Sequence, residues 1–154
     1  MIEKILIILF SLTISIYLVI FFFQSYKNKK MKDHVLSICK AYGVIEERNQ
    51  KVYLHINETM YEVLFFYVPT QGELTINSRT IWEVRSMTKS NLVNQSIFLS
   101  SDKPKIVIIH PSTLPIKRYI NENELVFVSF NDFFYNMYVV KYHEIETFFQ
   151  TNTL

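Results

Sequence analysis

The first thirty residues differ from the remainder of the chain in how hydrophobic and polar positions are arranged. Residues 5–23 read ILIILFSLTISIYLVIFFF, without a charged residue or a helix breaker. As a helix rising 1.5 Å per residue, this run spans roughly 28 Å, close to the hydrocarbon core of a bilayer at about 30 Å. The pattern predicts one transmembrane helix, and residues 1–30 form the predicted anchor with its basic flank.

A cleaved signal peptide is the alternative interpretation of this apolar run. Signal peptides carry an apolar region of roughly 7–15 residues, followed by small residues at the cleavage site. Here the run is longer, and residues 21–26 read FFFQSY, which offers no small-residue site. We therefore expect the anchor to remain attached to the chain.

Charge on the two flanks predicts the orientation of the anchor. Before the apolar run, Lys4 is offset by Glu3. After the run come four closely spaced lysines, Lys27, Lys29, Lys30 and Lys32. Because positive residues favour the cytoplasmic side, we expect a single-pass protein of the cell membrane with its N-terminus outside and residues 31–154 in the cytoplasm. The lipid bilayer is then the first predicted partner.

Residues 31–154 alternate between helical and extended patterns. Apolar positions at helical spacing predict helices over residues 31–42 and 143–150, with Gly43 as the C-cap of the first. Strands are predicted over residues 52–56, 60–68, 73–77, 105–109, 125–129 and 137–140, and those at 105–109 and 125–129 have the continuous apolar composition of buried strands. Residues 79–99 show no clear pattern. We predict one α/β (α+β) domain with a mixed sheet of five or six strands.

Composition excludes several classes of protein and of site. Hydrophobic residues make up 49% of the chain and charged residues 19%, which excludes a disordered chain. Cys39 is the only cysteine, so no intramolecular disulfide forms, and its place on the apolar side of a helix predicts a packed thiol. Two glycines are too few for a phosphate-binding loop. The four histidines lack metal-type spacing, and His110, at the end of a strand, is expected to be structural.

The order of elements resembles the core of the restriction-endonuclease-like (PD-(D/E)XK) nucleases over residues 32–150. Tyr42-Gly43 stands where that family has a turn after its first helix. The family places one acid on its second strand and a Glu-x-Lys on its third, and the matching positions are Glu62 and Glu73. The resemblance implies that these two carboxylates are the candidate catalytic and metal-binding residues.

The sequence departs from the family pattern at two positions. Glu62 stands where the family usually has Asp, and Thr75 stands where it has Lys. Without that lysine the attacking water loses its cationic partner, which cripples metal-assisted hydrolysis. Glu83-Val84-Arg85 is a later Glu-x-basic sequence, although arginine is a poor proton acceptor.

These features favour a non-enzymatic, membrane-tethered cytoplasmic module that binds an unidentified protein partner or assists an envelope process, with no cofactor. The alternative is a membrane-tethered, degenerate or weakly active nuclease-like enzyme, acting on nucleic acid with a divalent metal ion at Glu62 and Glu73. A small subunit packed among other transmembrane helices is disfavoured, because the apolar run lacks both a small-xxx-small face and a charged residue.

Orientation is directly testable with reporters fused after Leu154. A reporter that is active only in the cytoplasm should be active in this fusion, because the lysines after Phe23 favour the cytoplasmic side. A reporter that is active only outside the cytoplasm should be silent at the same site, and its activity would contradict the predicted orientation.

Overall fold

The computed structural model describes residues 2–96 and 101–152. The chain divides into two compact units, Met1–Leu36 and Ser37–Leu154. A long helix, α1 (Ile2–Tyr42), begins in the first unit and ends in the second. The last part of the patternless stretch, residues 97–99, lies outside the described residues.

The N-terminal part of α1 is apolar on all sides. Among the described residues, α1 is the one helix long and apolar enough to cross a membrane. Two of its hydroxyl side chains are satisfied within the helix: Thr13 Oγ1 donates to the carbonyl of Phe10 at 2.8 Å, and Ser15 Oγ donates to that of Ser11 at 2.8 Å. These bonds remove the cost of placing hydroxyl groups in an apolar segment. The helix predicted over residues 31–42 is the end of α1.

After α1, the described residues form eleven strands, a 3₁₀ helix and a short α-helix. The strands are β1 (Val44–Arg48), β2 (Lys51–Ile56), β3 (Thr59–Val68), β4 (Glu73–Ile76), β5 (Ile81–Arg85), β6 (Ser90–Asn94), β7 (Lys105–Pro111), β8 (Ile116–Asn121), β9 (Glu124–Val128), β10 (Phe133–Phe134) and β11 (Met137–Lys141). The 3₁₀ helix (Tyr142–Glu144) leads into α2 (Ile145–Thr151).

Six strands form a mixed sheet in the order β1-β2-β3-β7-β11-β10. The first three are antiparallel, whereas β7 lies parallel to both β3 and β11. Residues 105–110 of β7 are all buried, which confirms the prediction of a strand covered on both faces. The predicted hairpin of β2 and β3 and the predicted strands at 73–77 and 137–140 are also confirmed.

A second sheet of five strands has the order β6-β5-β4-β8-β9. The predicted fold class is confirmed, but the sequence indicated one sheet, and the structure has two. Residues of both inner faces form one core, in which Leu74, Ile76 and Trp82 of the five-stranded sheet join Val107 and Ile109 of β7. Two of the extra strands, β5 and β6, come from the stretch in which the sequence showed no pattern.

The opposite face of the six-stranded sheet is covered by helical residues of the same unit. Phe148 of α2 is fully buried and packs edge-on against Tyr138 of β11, with 5.2 Å between ring centroids. Tyr42, at the end of α1, stacks on Phe149 at 4.9 Å. The six-stranded sheet is therefore a middle layer between helices and the five-stranded sheet.

One predicted strand occupies a different place from the one expected. Residues 125–129 were expected to form a buried strand, but β9 is an edge strand, and Leu125 and Phe127 are exposed. Apolar composition identifies a segment that forms a strand, but it does not decide whether a neighbour pairs with each side.

Gly43 separates α1 from β1 for a steric reason. It directly follows the last residue of α1, as expected, and its backbone N–H donates to the carbonyl of Cys39 at 3.0 Å, although no glycine of the described chain has a positive φ. A Cβ at this position would lie 2.1 Å from the carbonyl oxygen of His55 on the neighbouring strand. Only glycine allows the chain to leave the helix this close to β2.

We expect Gly43→Ala to lower the free energy of unfolding by roughly 2–4 kcal/mol, because backbone atoms must move to admit the new methyl group. Gly72→Ala is the matched control and should lose less stability, since a Cβ there would lie 3.0 Å from the nearest atom, the carbonyl oxygen of Pro69. Denaturant unfolding of both variants gives the comparison. Equal losses in the two variants would contradict the steric account of Gly43.

Candidate functional site

Glu62 lies on β3, in the middle of the six-stranded sheet. Its strand neighbours are Tyr53 of β2 and Lys105 of β7. Because side chains alternate along a strand, Glu62 shares a face with Leu64, which packs against the core between the sheets. Only 2% of Glu62 is exposed, so a carboxylate lies at the margin of an apolar layer.

The Glu62 carboxylate has one strong partner. Lys51 Nζ lies 2.6 Å from Oε1, and this hydrogen bond raises the pKa of Lys51. The Lys51 side chain is 46% exposed, so the pair joins a buried anion to a half-exposed cation. Among the described residues, Oε2 of Glu62 accepts no hydrogen bond. An unfilled acceptor on a buried carboxylate is costly and invites a further donor.

Lys105 is a second buried charge in this region. Its side chain is fully buried, and Nζ donates to the carbonyls of Ser101 and Lys103, each at 2.6 Å. Burial lowers the pKa of Lys105, while the nearby Glu62 acts in the opposite direction. Sequence reasoning missed this residue. The available signal was a lysine at the first position of an otherwise apolar strand. What that lysine faces depends on the neighbouring strands, which the sequence did not identify.

Glu73 and Thr75 lie on the solvent-facing side of β4, which we call the outer face of the five-stranded sheet. They alternate with Leu74 and Ile76, whose side chains are buried in the core. Lys117 Nζ contacts Glu73 Oε2 at 3.2 Å. Thr75 pairs laterally with Glu83 on one side and Lys117 on the other.

Glu83 and Arg85 belong to the same outer face. Arg85 Nη2 donates to Glu83 Oε1 at 3.2 Å, and Ser90 Oγ donates to the same oxygen at 2.5 Å. These bonds lower the pKa of Glu83, the one from Ser90 most strongly. The two charged residues of the Glu-x-basic sequence, Glu83 and Arg85, therefore pair with each other on the outer face of the sheet.

The structure does not bring Glu62 and Glu73 together. Glu62 faces the core from the six-stranded sheet, whereas Glu73 faces solvent from the other sheet, so the core lies between them. Each carboxylate contacts a different lysine. Within residues 2–96 and 101–152, no group of three or more His, Cys, Asp or Glu side chains is placed to hold a metal ion.

Two other reactive side chains are packed. Cys39 is buried, and burial raises the pKa of its thiol to about 12, so the thiol stays protonated at neutral pH. His110 is also buried and lies edge-on to Tyr67, with 5.7 Å between ring centroids. Burial lowers the pKa of His110, which favours the neutral ring.

No protein-family model, curated protein or solved structure matches the chain. Its function is therefore inferred from the geometry of the described residues.

The edges of the two sheets differ in how they are protected from pairing with another strand. Natural edge strands are usually short, charged or interrupted. At the ends of the six-stranded sheet, β10 has two residues, and β1 reads VIEER. In the five-stranded sheet, β6 reads SNLVN, with polar residues at both ends. The remaining edge strand, β9, reads ELVFV and carries no lysine or proline.

Exposure makes the outer edge of β9 accessible to a partner. Phe127 is 70% exposed and Leu125 46% exposed, both on the outer face. On the paired side, β8 places Lys117 opposite Phe127 and Tyr119 opposite Leu125. No strand among the described residues pairs with the other side of β9. An apolar edge with free backbone groups is suited to accept an extended segment of another protein.

The contribution of the Glu62–Lys51 pair is measurable by a double-mutant cycle. Lys51→Met should lower the free energy of unfolding by about 1–3 kcal/mol, because the buried carboxylate loses its cation. The Lys51→Met/Glu62→Met double variant should lose less than the sum of the two single variants, with a coupling of about 1 kcal/mol or more. Since the pKa of Lys51 is raised, this coupling should persist at neutral pH and be lost on the alkaline side as pH rises through that raised pKa.

The exposed pair Glu73–Lys117 is the matched control for this cycle. Glu73 is 43% exposed, and its contact with Lys117 is longer, at 3.2 Å. A solvent-screened pair of this kind should show a coupling below about 0.5 kcal/mol. If the cycle at Glu62 gave a coupling as small as that of the control, Lys51 would not be the cation that stabilises the buried carboxylate of Glu62.

Proposed function

We propose that this chain is a single-pass membrane protein whose cytoplasmic domain is a non-catalytic module that binds an extended segment of a protein partner along β9. The observation that carries the proposal is the composition of the four sheet edges. Three of the edges of the described sheets are short, charged or polar, whereas the fourth, β9, is apolar after Glu124.

Backbone and side chains of β9 supply different parts of the binding energy. Unpaired N–H and C=O groups along the edge would bond to the added strand, which gives affinity with little dependence on sequence. Leu125 and Phe127 would contact alternate side chains of that strand on the outer face. The partner segment is therefore expected to be extended, with apolar residues at every second position.

The state of the candidate carboxylates supports a non-enzymatic module. Glu62 is engaged by Lys51, and Glu73 by Lys117, so a metal ion would have to displace an ammonium group at either position. Thr75 lies beside Lys117 on the outer face of the five-stranded sheet, whereas Glu62 faces the core from the other sheet. Binding rather than turnover is the activity that these arrangements favour.

The anchor restricts where the partner is found. A helix apolar enough to cross a membrane precedes the domain, and lysines follow its apolar segment. A partner that meets β9 in the cytoplasm is then a membrane-associated protein or one recruited to the membrane. Tethering raises the effective concentration of the module near such partners.

The proposal is tested by site-specific photo-crosslinking in membranes of cells that express the full chain. A photoreactive phenylalanine analogue at Phe127 should give a protein adduct of defined mass. Leu125→Lys should abolish the adduct, because a lysine on an edge strand opposes the addition of another strand. Leu92→Lys, on edge strand β6, is the matched control and should leave the adduct unchanged, since Leu92 is also an exposed leucine of an edge strand but lies on β6.

Three results would contradict the proposal. They are the absence of a protein adduct, an adduct that survives Leu125→Lys, and an equal loss in the Leu92→Lys control. An adduct of twice the mass of the chain would replace the proposed partner by self-association.

A further inference from the structure

A cavity of about 280 Å³ lies where the end of β6 meets the inner side of β3. Its polar lining residues come from both sheets: Gln50, Lys51, Glu62, Asn94 and Gln95. A water molecule accounts for about 30 Å³ of liquid volume, so the space exceeds what one or two waters need. It approaches the lower end of small-molecule pockets, at about 300 Å³.

Glu62 supplies the strongest recognition group in this cavity. Its carboxylate is almost fully buried, Oε1 is bound to Lys51, and Oε2 has no partner among the described residues. A donor that reached Oε2 would form a charge-assisted hydrogen bond and remove the penalty of an unfilled buried acceptor. A suitable ligand therefore carries an N–H or O–H group.

Charge around the cavity selects against ionic ligands. Lys51 lines the cavity and already balances the charge of the single carboxylate, so a cationic ligand would meet the Lys51 ammonium and find no free counter-charge beside Glu62. An anionic ligand would meet the buried carboxylate, which cannot turn away into solvent. An uncharged ligand avoids both repulsions, and the existing ion pair remains intact.

Carboxamides make up the rest of the polar lining. Asn94 Oδ1 accepts the backbone N–H of Ser96 at 2.8 Å, so its carbonyl oxygen is already engaged. Gln50 has a φ of 63°, in the left-handed region where Asn and Gly are preferred over Gln. The backbone of this turn therefore does not require glutamine, and its side chain lines the cavity.

We propose that this cavity binds a small uncharged molecule with a carboxamide-type edge, meaning an N–H donor beside a carbonyl acceptor. The N–H donates to Oε2 of Glu62, and the carbonyl accepts from the carboxamide N–H groups of the lining. Because Glu62 belongs to one sheet and Asn94 to the other, the ligand joins the two sheets at this end of the core. This site is separate from the edge of β9 and does not depend on partner binding there.

Three probes of matched size and shape test the charge and hydrogen-bond requirements. Benzamide is uncharged with a carboxamide edge, benzamidine is its cationic counterpart, and benzoate is its anionic counterpart. Each is titrated by ligand-observed NMR against the full chain in lipid nanodiscs. Benzamide should bind with a dissociation constant of about 1–10 mM, as expected for a probe this small. Benzamidine and benzoate should bind at least about tenfold more weakly.

Variants connect the binding to the cavity. Glu62→Gln should weaken benzamide binding at least about tenfold, because the charged acceptor is lost. Gln50→Gly should also weaken it, and this variant cannot act by unfolding the domain, because glycine suits a left-handed turn position better than glutamine does. Asn91→Ala is the matched control on β6, outside the lining, and should leave binding unchanged. Bound benzamide should slow hydrogen exchange along β6.

Several outcomes would overturn the proposal. They are no benzamide binding, benzamidine or benzoate binding as tightly as benzamide, or benzamide binding that is insensitive to both Glu62→Gln and Gln50→Gly. If Glu62→Gln unfolded the chain, the Gln50→Gly variant alone would decide between the proposed site and another place of binding.

Discussion

Burial of β7 on both faces is the constraint on which the rest of the domain depends. One face of β7 packs toward the helices, and the other forms the core shared with the five-stranded sheet. Its parallel neighbours β3 and β11 are held in register along most of its length. A strand covered on both faces must be apolar, and residues 106–109 read IVII. The two layers on either side of the six-stranded sheet are therefore organised around one short segment.

The register of β7 also places charge where the apolar layer ends. Lys105 begins the strand and lies beside Glu62, and Lys51 completes the group from β2. Replacing such a buried pair as a whole by apolar residues changes stability little, since desolvation offsets most of the attraction, whereas removing one partner alone leaves an unpaired buried charge. The consequence of these charges here is chemical: a carboxylate is held at the margin of the core with one oxygen engaged and the other without a partner among the described residues.

The two surfaces with inferred roles reflect different physical demands. Along β9 the relevant groups are backbone donors and acceptors, exposed because a strand ends the sheet. At the Glu62 cavity they are side chains from both sheets, brought together because the sheets converge on a common core. The outer face between them is occupied by ion pairs such as Glu73–Lys117, which are screened by water and stabilise the surface only weakly.

Local pattern in the sequence determined several features of this protein. The apolar run at residues 5–23, the hairpin of β2 and β3, the buried strand β7 and the mixed α/β class all follow from the spacing of apolar residues over short windows. Each of these features depends on neighbours in the chain, so a single sequence is sufficient to predict them.

Only the tertiary structure decided how distant segments combine. The second sheet, the edge position of β9 and the separation of Glu62 from Glu73 depend on which strands pair, and those strands are far apart in the chain. Glu62 meets Lys105 only through the register of β3 on β7. Because one-residue changes in register reverse the face of every side chain, periodicity showed that these residues lie on strands, but not what they face.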